Sequence, residues 1–459
     1  MSQEGPAYGA AAARDARDRL DGWAEEFVEW FRDSGAERLT AEPAVPTTDR
    51  TILFTNSAVV PFKPFIRGDV PFDDRWVTVR QPCIRSHNLR ATFVSDFHTE
   101  FVLRFEMLGA MAPASHLDDF VGAIAGYFGT RLGLDGAGVA FKAHSDHHDL
   151  SGAWARAWKG PIGYDGESDK FYNWTFGDDG MTGRGATFCL VQPDGHWRDL
   201  GNLIAFEWHG ETVAYGFGIG LETLAAGLTA GRWVIDSTPE GRFHHAATPQ
   251  EAKLADLVGL LVQLYKAGIV VSNRAQGYIM RKTLVYVERL AGRLGVPDEV
   301  LVGRLAGVAA VEAPGLDVEG PFLAHLEQLR RDPVATRTVD LSFLCDAALG
   351  PEVLCGAVEE GARPGLLGLE ARVADVWQGP SLPAGRRSVT LGLTLTSATR
   401  LEPTALRALL REITDELSDR FGAVLRGTLP DGPGPAGADR VDGADRADRT
   451  DRGDGAAGA

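Results

Sequence analysis

Three short stretches of the chain place chemically capable side chains close together. Arg85 follows the alternating run WVTVRQPCI, so its side chain is expected to project from a sheet into a cleft and meet an anion there. Trp174 and Asp178 stand in the run WTFGDDGMTGRG, whose glycines let a ligand approach the backbone closely. The segment HSDHHD, residues 144–149, carries imidazoles and carboxylates that suit zinc or manganese.

Each stretch also has an interpretation without a ligand. Arg85 is then a surface arginine paired with an acid such as Asp96, and the glycine-rich run is a turn. The crowding of HSDHHD on one polar segment is more typical of a solvated loop than of a metal site. We therefore predict no metal ligands.

Hydrophobic periodicity indicates the elements that would position these side chains. Residues 21–33 place four aromatic side chains on one helical face, which predicts a helix packed on a core: Trp23, Phe27, Trp30 and Phe31. Between residues 51 and 222, runs such as TILFTN, WVTVRQPCIR, NLIAFEW and TVAYGFGIG alternate with glycines and predict an antiparallel sheet. Residues 248–295 change to helical periodicity, with one apolar stripe formed by Leu257, Leu260, Leu261, Leu264 and Tyr265.

A different pattern begins near Arg337. Its runs follow the order β-α-β-β-α and end in a short strand, VLRG, which predicts a small ferredoxin-like α+β domain. Residues 431–459 consist mainly of Gly, Ala, Asp and Arg, and such a composition cannot offset the entropy of ordering. We expect a disordered tail there.

Composition narrows the partners. The 459 residues are 44% hydrophobic and 24% charged, as in soluble globular proteins, and we expect neither a membrane partner nor a signal peptide, hence a cytoplasmic protein. The net charge of −17 argues against a generally basic nucleic-acid binder, so no DNA partner is predicted, although a local basic strip stays open. The four cysteines form no C-x-x-C pair, so reduced thiols are expected.

Several motifs, in order along the chain, resemble those of alanyl-tRNA synthetases, which are class II enzymes. The runs are TILFTNSAVVPFKPFIRG, CIRSHNLRATFVSDFHTEFVLRFEMLG, WTFGDDGMTGRGATF, the Asn202–Leu203 pair, GFGIGLET and VSNRAQGYIMRK. The resemblance implies an antiparallel class II sheet with flanking helices, activation of a small amino acid with ATP and Mg²⁺, and a tRNA partner. The magnesium would be held mainly by ATP.

The resemblance also implies roles for individual residues. Arg85 would be catalytic, because a cation stabilises the negative charge that builds when a carboxylate attacks the α-phosphate. The implied ATP-binding residues are Arg85, His87, Asn88, Phe105, Met107, Gly218 and Gly220. The implied amino-acid-binding residues are Trp174, Asp178, Gly183, Asn202, Ile204, Gly216 and Gly218.

The sequence departs from the family at some of these positions. Gly216 stands where the family has the aspartate that binds the substrate ammonium, and Thr223 replaces the arginine that binds ATP. Asp178 or Asp179 is a candidate replacement for the aspartate. Phe105 is either a surface for adenine stacking or a core residue. Arg184 is either a substrate-anion ligand or a solvated loop charge.

The C-terminal part, residues 337–427, resembles the ferredoxin-like anticodon-binding domain of phenylalanyl-tRNA synthetase β subunits. The matching runs are DVWQG, RRSVTL and RFGAVLRG, and the candidate tRNA-binding residues are Arg281, Arg420 and Arg426.

These observations predict an α+β chain with five parts. They are an N-terminal extension (1–20), a synthetase-like catalytic domain (21–245), a helical domain and linker (246–336), the ferredoxin-like domain (337–427) and a tail (428–459). The sequence leaves three functions open, which are aminoacylation of tRNA, activation with another acceptor, and binding without catalysis. It does not predict the oligomeric state.

Overall fold

The computed structural model describes residues 6–429, apart from 48, 50–51, 73, 87–88, 90–100, 166–171, 179, 230, 273, 332–334, 361–362, 364–365, 380–381, 384 and 398–400. The chain divides into two compact units, Met1–Pro333 and Val334–Ala459. The predicted tail lies outside the described residues from residue 430 onward.

In its described residues, the first unit combines helices with nine strands. Its helices are α1 (Pro6–Asp33), α2 (Lys63–Ile66), α3 (Leu117–Gly126), α4 (His148–Ala157), α5 (Leu221–Leu228), α6 (Pro239–His244), α7 (Pro249–Lys266), α8 (Ala275–Arg293), α9 (Asp298–Glu312) and α10 (Glu319–Arg331). Its strands are β1 (Ala36–Arg38), β2 (Trp76–Ile84), β3 (Arg104–Pro113), β4 (Val139–His144), β5 (Ile162–Asp165), β6 (Asn173–Thr175), β7 (Met181–Val191), β8 (Trp197–Trp208) and β9 (Glu211–Gly220).

These strands form one sheet in the order β1-β2-β3-β9-β8-β7-β4-β5, with β6 paired to β7. All pairs are antiparallel except β1 with β2 and β4 with β5. The two-residue turn between β8 and β9 uses His209 (φ 50°) and Gly210 (φ 87°), the positive φ angles that a type I′ hairpin needs. This turn fixes the register of the two central strands, on which the site depends.

The two faces of the sheet bury different clusters. One face packs against α1, α3 and α4, and there Phe27 and Phe31 are fully buried as the helical periodicity predicts. The other face packs against the segment from Ala58 to Ile66. Helix α7 begins with a capping box in which Thr248 and Glu251 bond each other's backbone, and its predicted leucine stripe is fully buried.

The second unit has the element order β-α-β-β-α-β that the sequence predicts. It contains β10 (Ala335–Asp346), α11 (Pro351–Glu360), β11 (Leu366–Trp377), β12 (Arg386–Ser397), α12 (Pro403–Phe421) and β13 (Val424–Leu425). The strands pair antiparallel in the order β11-β12-β10-β13. Helix α12 ends at Gly422, whose φ of 59° lies in the left-handed region that glycine adopts without strain.

The structure confirms the predicted α+β class, with a large, mainly antiparallel sheet flanked by helices and a second, smaller sheet. One local prediction was wrong. Residues 52–56 form no strand, because buried Thr55 instead bonds across to Ala44 and Ile84. Helix α1 runs through most of the predicted N-terminal extension, because Ala13 and Ala16 continue its buried face. Within the described residues, no helix is both long and apolar enough to cross a membrane.

Candidate functional site

A cavity of about 320 Å³ opens on the sheet of the first unit. It brings together seven residues that the sequence predicts for the site: Arg85, Phe105, Met107, Trp174, Asn202, Gly218 and Gly220. Its other lining residues are Phe101, Val102, Thr187, Asp199, Leu200, Gly201 and Thr223. The predicted residues come from distant parts of the sequence, so the sheet topology gathers them.

Strand register explains the floor of the cavity. Asn202 of β8 lies opposite Gly218 of β9, and Gly220 is the next residue of β9 on the same face. Asn202 Nδ2 donates a hydrogen bond to Thr187 Oγ1 at 3.0 Å, which holds the amide in place. A Cβ at Gly218 would come within 3.6 Å of Met107 Sδ, so the absence of a side chain there leaves space for a ligand.

Arg85 supplies the positive charge of the cavity. Its guanidinium carbon lies 4.6 Å from the ring centroid of Phe105 and 5.9 Å from that of Phe101. Burial lowers the pKa of Arg85, yet a guanidinium stays protonated at any physiological pH. Among the described residues no carboxylate pairs with it. The arrangement is therefore a partly desolvated cation between two aromatic rings, which favours an anionic ligand.

Phe105 fits parts of both predictions made for it, as a surface for adenine stacking and as a core residue. The ring is buried and packs near Cys83 and Trp233, and one of its faces meets the Arg85 guanidinium. Phe105 therefore both lines the cavity and belongs to a small apolar cluster. A base that stacks on the face now in contact with Arg85 would have to displace that guanidinium.

Asp199 is the carboxylate among the described lining residues, and it already has two partners. Lys142 Nζ donates a short hydrogen bond to its Oδ1, and the Cys189 thiol donates to the same oxygen at 3.3 Å. Burial, followed by the charge of Asp199, raises the pKa of Cys189 to about 12. Cys189 therefore stays a neutral thiol and is a poor nucleophile.

Three residues predicted to bind the amino acid do not line the cavity: Gly183, Ile204 and Gly216. They lie further along the same sheet face, where Phe206 and Phe176 pack edge to face with ring centroids 5.3 Å apart. A Cβ at Gly216 would lie 2.4 Å from the Phe206 ring, and one at Gly183 would lie 2.9 Å from both Ile204 and Phe176. We call Phe176, Ile204 and Phe206 the apolar plug. It occupies the space next to Gly216 in which an aspartate side chain would have to fit.

Asp178 also lies away from the cavity. Its Oδ2 accepts from Lys63 Nζ at 3.2 Å and from Arg67 Nη1 at 3.3 Å. Because this carboxylate already contacts two cations and does not line the cavity, it is not positioned to bind a substrate ammonium in place of an acid at residue 216. Its neighbour Asp179 lies outside the described residues.

Arg184 is held by a bidentate ion pair with Asp149, at 2.8 Å and 2.7 Å. Asp149 comes from the HSDHHD segment, whose His147 ring contacts the Gly185 carbonyl at 3.1 Å. In the part of the chain that the structure describes, no group of three or more His, Cys, Asp or Glu side chains could hold a metal ion. Arg184 and the HSDHHD segment therefore make contacts within the chain. His87 and Asn88 fall outside the described residues.

A buried network of charges lies next to the cavity. Glu222, beside Thr223, accepts hydrogen bonds from the backbone N–H of Glu106 at 2.9 and 3.2 Å. Burial and the nearby Glu106 carboxylate raise the pKa of Glu222 to about 8. Glu106 in turn pairs with Arg17 of α1 at 3.1 Å and with Arg80. The network joins the cavity wall to the first helix.

Arg104, to which the sequence assigns no role, belongs to the same network. Its guanidinium binds Glu240 at 2.6 Å and Glu312 at 3.1 Å, and all three groups are well buried. The pairing with these carboxylates, which outweighs desolvation, raises the pKa of Arg104. Arg104 thus connects the end of β3 to α6 and α9 and is structural.

The three candidate tRNA-binding arginines have distinct environments. Arg281 lines a second cavity, of about 250 Å³, with Ser272 and His325. Arg420 pairs with Glu416 at 2.9 Å on the exposed surface of α12. Arg426 donates to Ser388 Oγ at 2.8 Å, so part of its guanidinium is used within the second unit.

Part of the chain is similar to a known protein family. Residues 23–185 match the family model described as "tRNA synthetases class II (A)". This match spans less than half of the chain. Arg85, Phe105, Met107 and Trp174 of the cavity lie within the matched range, and Asn202, Gly218 and Gly220 follow it.

Its homologues include alanine–tRNA ligases at low identity. The ligase of Hyphomonas neptunium is 27% identical over 323 residues, which cover 60% of this chain and 35% of that protein. The ligase of Chromohalobacter salexigens is 24% identical over 382 residues, covering 72% of this chain and 43% of that protein. The chain thus spans less than half the length of these relatives.

Solved structures similar to this chain are also synthetases. Asparaginyl-tRNA synthetase from Pyrococcus horikoshii with asparaginyl-adenylate has a TM-score of 0.31 and 13% identity, covering 50% of this chain and 68% of that chain. Histidyl-tRNA synthetase from S. aureus has a TM-score of 0.29 and 11% identity, covering 47% and 70%.

Sequence reasoning missed several residues that shape the site. Thr187 and Asp199 line the cavity, and Phe206 closes the sheet face beside it. One signal was available, because strand alternation places Phe206 two residues from Ile204 on the same face. Thr187 required the pairing of β7 with β8, which a single sequence does not provide.

Proposed function

We propose that the chain activates a small amino acid with ATP as an aminoacyl adenylate and transfers the aminoacyl group to a tRNA. The observation that carries this proposal is the gathering of seven predicted ATP-binding and amino-acid-binding residues around one cavity that contains the Arg85 guanidinium. The match to a class II synthetase model and the alanine–tRNA ligase homologues support it.

In the first step the substrate carboxylate attacks the α-phosphorus of ATP, and pyrophosphate leaves. Negative charge builds on the phosphoryl oxygens in the transition state, and the partly desolvated Arg85 is the group that stabilises it. Trp174 and Asn202 border the acyl side of the cavity, while Gly218 and Gly220 allow the ligand to lie against the strand.

Magnesium would enter with ATP and neutralise its phosphates. Asp199, the carboxylate among the described lining residues, is engaged by Lys142 and Cys189, so the metal would be held mainly by ATP itself. The chain's own contribution is to orient the nucleotide and the acid, and to exclude water from the reacting atoms.

Two observations favour a second candidate function, binding without catalysis, while activation with an acceptor other than tRNA stays open as a third. The apolar plug occupies the space beside Gly216, so the substrate ammonium must find another partner. Thr223 presents a hydroxyl to the cavity where the resembled family has an arginine. The first change weakens recognition of an α-amino acid, and the second weakens recognition of the triphosphate.

ATP–pyrophosphate exchange with each of the twenty amino acids, with and without total tRNA, tests these functions. Exchange with one or a few small amino acids, followed by charging of tRNA, supports the first proposal. Exchange without any charging supports another acceptor. Absence of exchange under every condition would exclude both enzymatic functions and leave a binding protein.

The tRNA contact of the second unit is a separate proposal. Its element order and its matching runs resemble an anticodon-binding domain, and we place Arg420 and Arg426 on the tRNA-binding surface, with Arg281 contacting tRNA from the first unit.

Binding of labelled tRNA should weaken in Arg420→Ala and Arg426→Ala, with a shallower dependence on salt. Arg411→Ala, an exposed arginine on the same helix as Arg420, is the control. Equal binding by all these variants would remove the surface from consideration.

A further inference from the structure

Strand β11 forms an edge of the sheet in the second unit. Its last six residues, Arg372–Trp377, are mostly exposed, including Val376 at 44% and Trp377 at 41%. Among the described residues no strand pairs with its outer side. A long edge strand that carries exposed apolar side chains is a template for pairing with another strand.

The backbone of this edge shows which residues are ready to pair. Ala371 N–H points away from β12, since it donates to Glu359 Oε1 at 2.7 Å. Val376 has the same phase as Ala371, because their partners in β12, Val389 and Leu393, are four residues apart. The N–H and C=O groups of both residues therefore face outward.

The pairing of β11 with β12 also places the charged side chains of this edge strand. Arg372 lies opposite Gly392 and Asp375 lies opposite Thr390, two residues apart in β12, so both charged side chains lie on one face of the sheet. A β-bulge at Ala374 makes this possible, since without the extra residue the two side chains would alternate between faces.

We propose that β11 pairs antiparallel with β11 of a second copy of this chain, about a twofold axis between Val373 and Ala374. In this register Arg372 of each copy lies opposite Asp375 of the other. The Arg372 guanidinium, which lies over Gly392 beside Asp340, turns outward on pairing and gives two cross-strand ion pairs on one face. The same register sets Ala371 opposite Val376, which are the residues whose backbone groups face outward. Glu359 gives up one hydrogen bond when the strands pair.

A second copy fits this edge better than an unrelated strand. Only in the twofold register do the opposite charges of the two copies face each other. The same register also sets the outward-facing backbone groups of one copy opposite those of the other. The residue types at 372 and 375 and the backbone phase of β11 thus agree on one register. Pairing joins two four-stranded sheets into one and covers Val376 on both copies.

Charge reversal tests this pairing in the full chain. Sedimentation velocity over a range of concentrations should show a monomer–dimer equilibrium for the natural sequence. Arg372→Asp and Asp375→Arg each place like charges opposite each other twice, so each should weaken dimerisation by about tenfold or more. The double variant Arg372→Asp/Asp375→Arg restores opposite charges and should recover the dimer.

Arg411→Asp is the matched control, because it makes the same charge change at an exposed position of α12 and should leave the equilibrium unchanged. Far-UV circular dichroism checks that each variant is folded. A chain that stays monomeric, a dimer that the single variants do not weaken, or a double variant that fails to recover would each overturn the proposal.

Discussion

Two neighbouring parts of one sheet face behave differently in the first unit. Around Asn202, Gly218 and Gly220 the face is open and polar, and it borders the cavity that holds Arg85. Two residues further along β9, at Gly216, the face is covered by the apolar plug. The strands and their register are continuous across both parts, so the difference arises from side chains alone.

This comparison shows that a glycine in a sequence motif can have opposite structural meanings. At Gly218 the missing side chain leaves space for a ligand, whereas at Gly216 it leaves space for the Phe206 ring. The absence of a side chain at Gly216 and the position of the Phe206 ring are therefore sterically coupled.

The largest expected effect tests this coupling. Phe206→Ala should destabilise the first unit by about 3–5 kcal/mol, because it removes a buried ring. Gly216→Asp should cost about 3 kcal/mol or more, because its Cβ overlaps the ring and a carboxylate is buried. The double variant should cost less than the two single changes together, by about 1–3 kcal/mol.

Urea unfolding followed by tryptophan fluorescence measures these values. The second unit contains Trp377 as its single tryptophan, so the signal reports mainly on the first unit. Gly218→Asp is the control, since its nearest neighbour is Met107 Sδ at 3.6 Å, and it should not couple to Phe206→Ala. Strictly additive effects for Gly216 and Phe206 would contradict a shared space.

The second-largest expected effect concerns the part of the sheet face that borders the cavity. Arg85→Gln should lower the rate of ATP–pyrophosphate exchange by about 10²–10³-fold, because the cation for the developing phosphate charge is lost. Arg131→Gln, a surface arginine 3.6 Å from Glu26, should leave the rate unchanged. An exchange rate in Arg85→Gln equal to that of the natural sequence would mean that Arg85 is not the phosphate cation.

A smaller effect is expected at the wall of the cavity. The folded-state pKa of Glu222, about 8, lies above its ordinary value, so the folded chain keeps a proton that the unfolded chain loses. The free energy of unfolding should therefore fall as pH rises from about 5 to 8. Glu222→Gln should remove this loss, so across that pH range its free energy of unfolding should exceed that of the natural sequence by about 1–3 kcal/mol.

Urea unfolding at several pH values measures this effect. Glu211→Gln changes an exposed carboxyl in the β8–β9 turn and should follow the natural sequence at every pH. If the difference between Glu222→Gln and the natural sequence does not depend on pH, Glu222 is ionised throughout and the buried network is arranged differently.

The smallest expected effect tests whether Arg184 pairs with Asp149 within the chain or binds a substrate. Arg184→Gln removes the ion pair with Asp149, which is partly exposed, and should cost at most about 1 kcal/mol of unfolding free energy. The Michaelis constants for ATP and for the amino acid should stay unchanged. A large increase in either constant would show that Arg184 leaves Asp149 to bind a substrate.

Much of the fold could be predicted because periodicity reports burial directly. The aromatic face of α1, the leucine stripe of α7 and the alternating runs of β2, β8 and β9 all follow from it. The run TILFTN has the composition of a strand, yet Thr55 is held by tertiary hydrogen bonds to Ala44 and Ile84 instead. Local propensity cannot anticipate such contacts.

The candidate site was predictable only in part, for a related reason. Resemblance pointed to Arg85, Trp174 and Asn202, which the structure gathers around the cavity. It could not show that Asp178 contacts Lys63 and Arg67, or that Phe206 covers Gly216. These outcomes depend on pairs of residues far apart in sequence, and a single chain contains no record of such pairs.

The buried charge network has a consequence for the order in which the first unit folds. Arg17 in α1 lies 3.6 Å from Glu312, the last residue of α9, so contacts of the first helix are completed by residues synthesised much later. Until α9 leaves the ribosome, the buried side of α1 lacks one of its partners. The first unit should therefore fold late during translation and slowly in vitro, as expected for a core closed by contacts of large sequence separation.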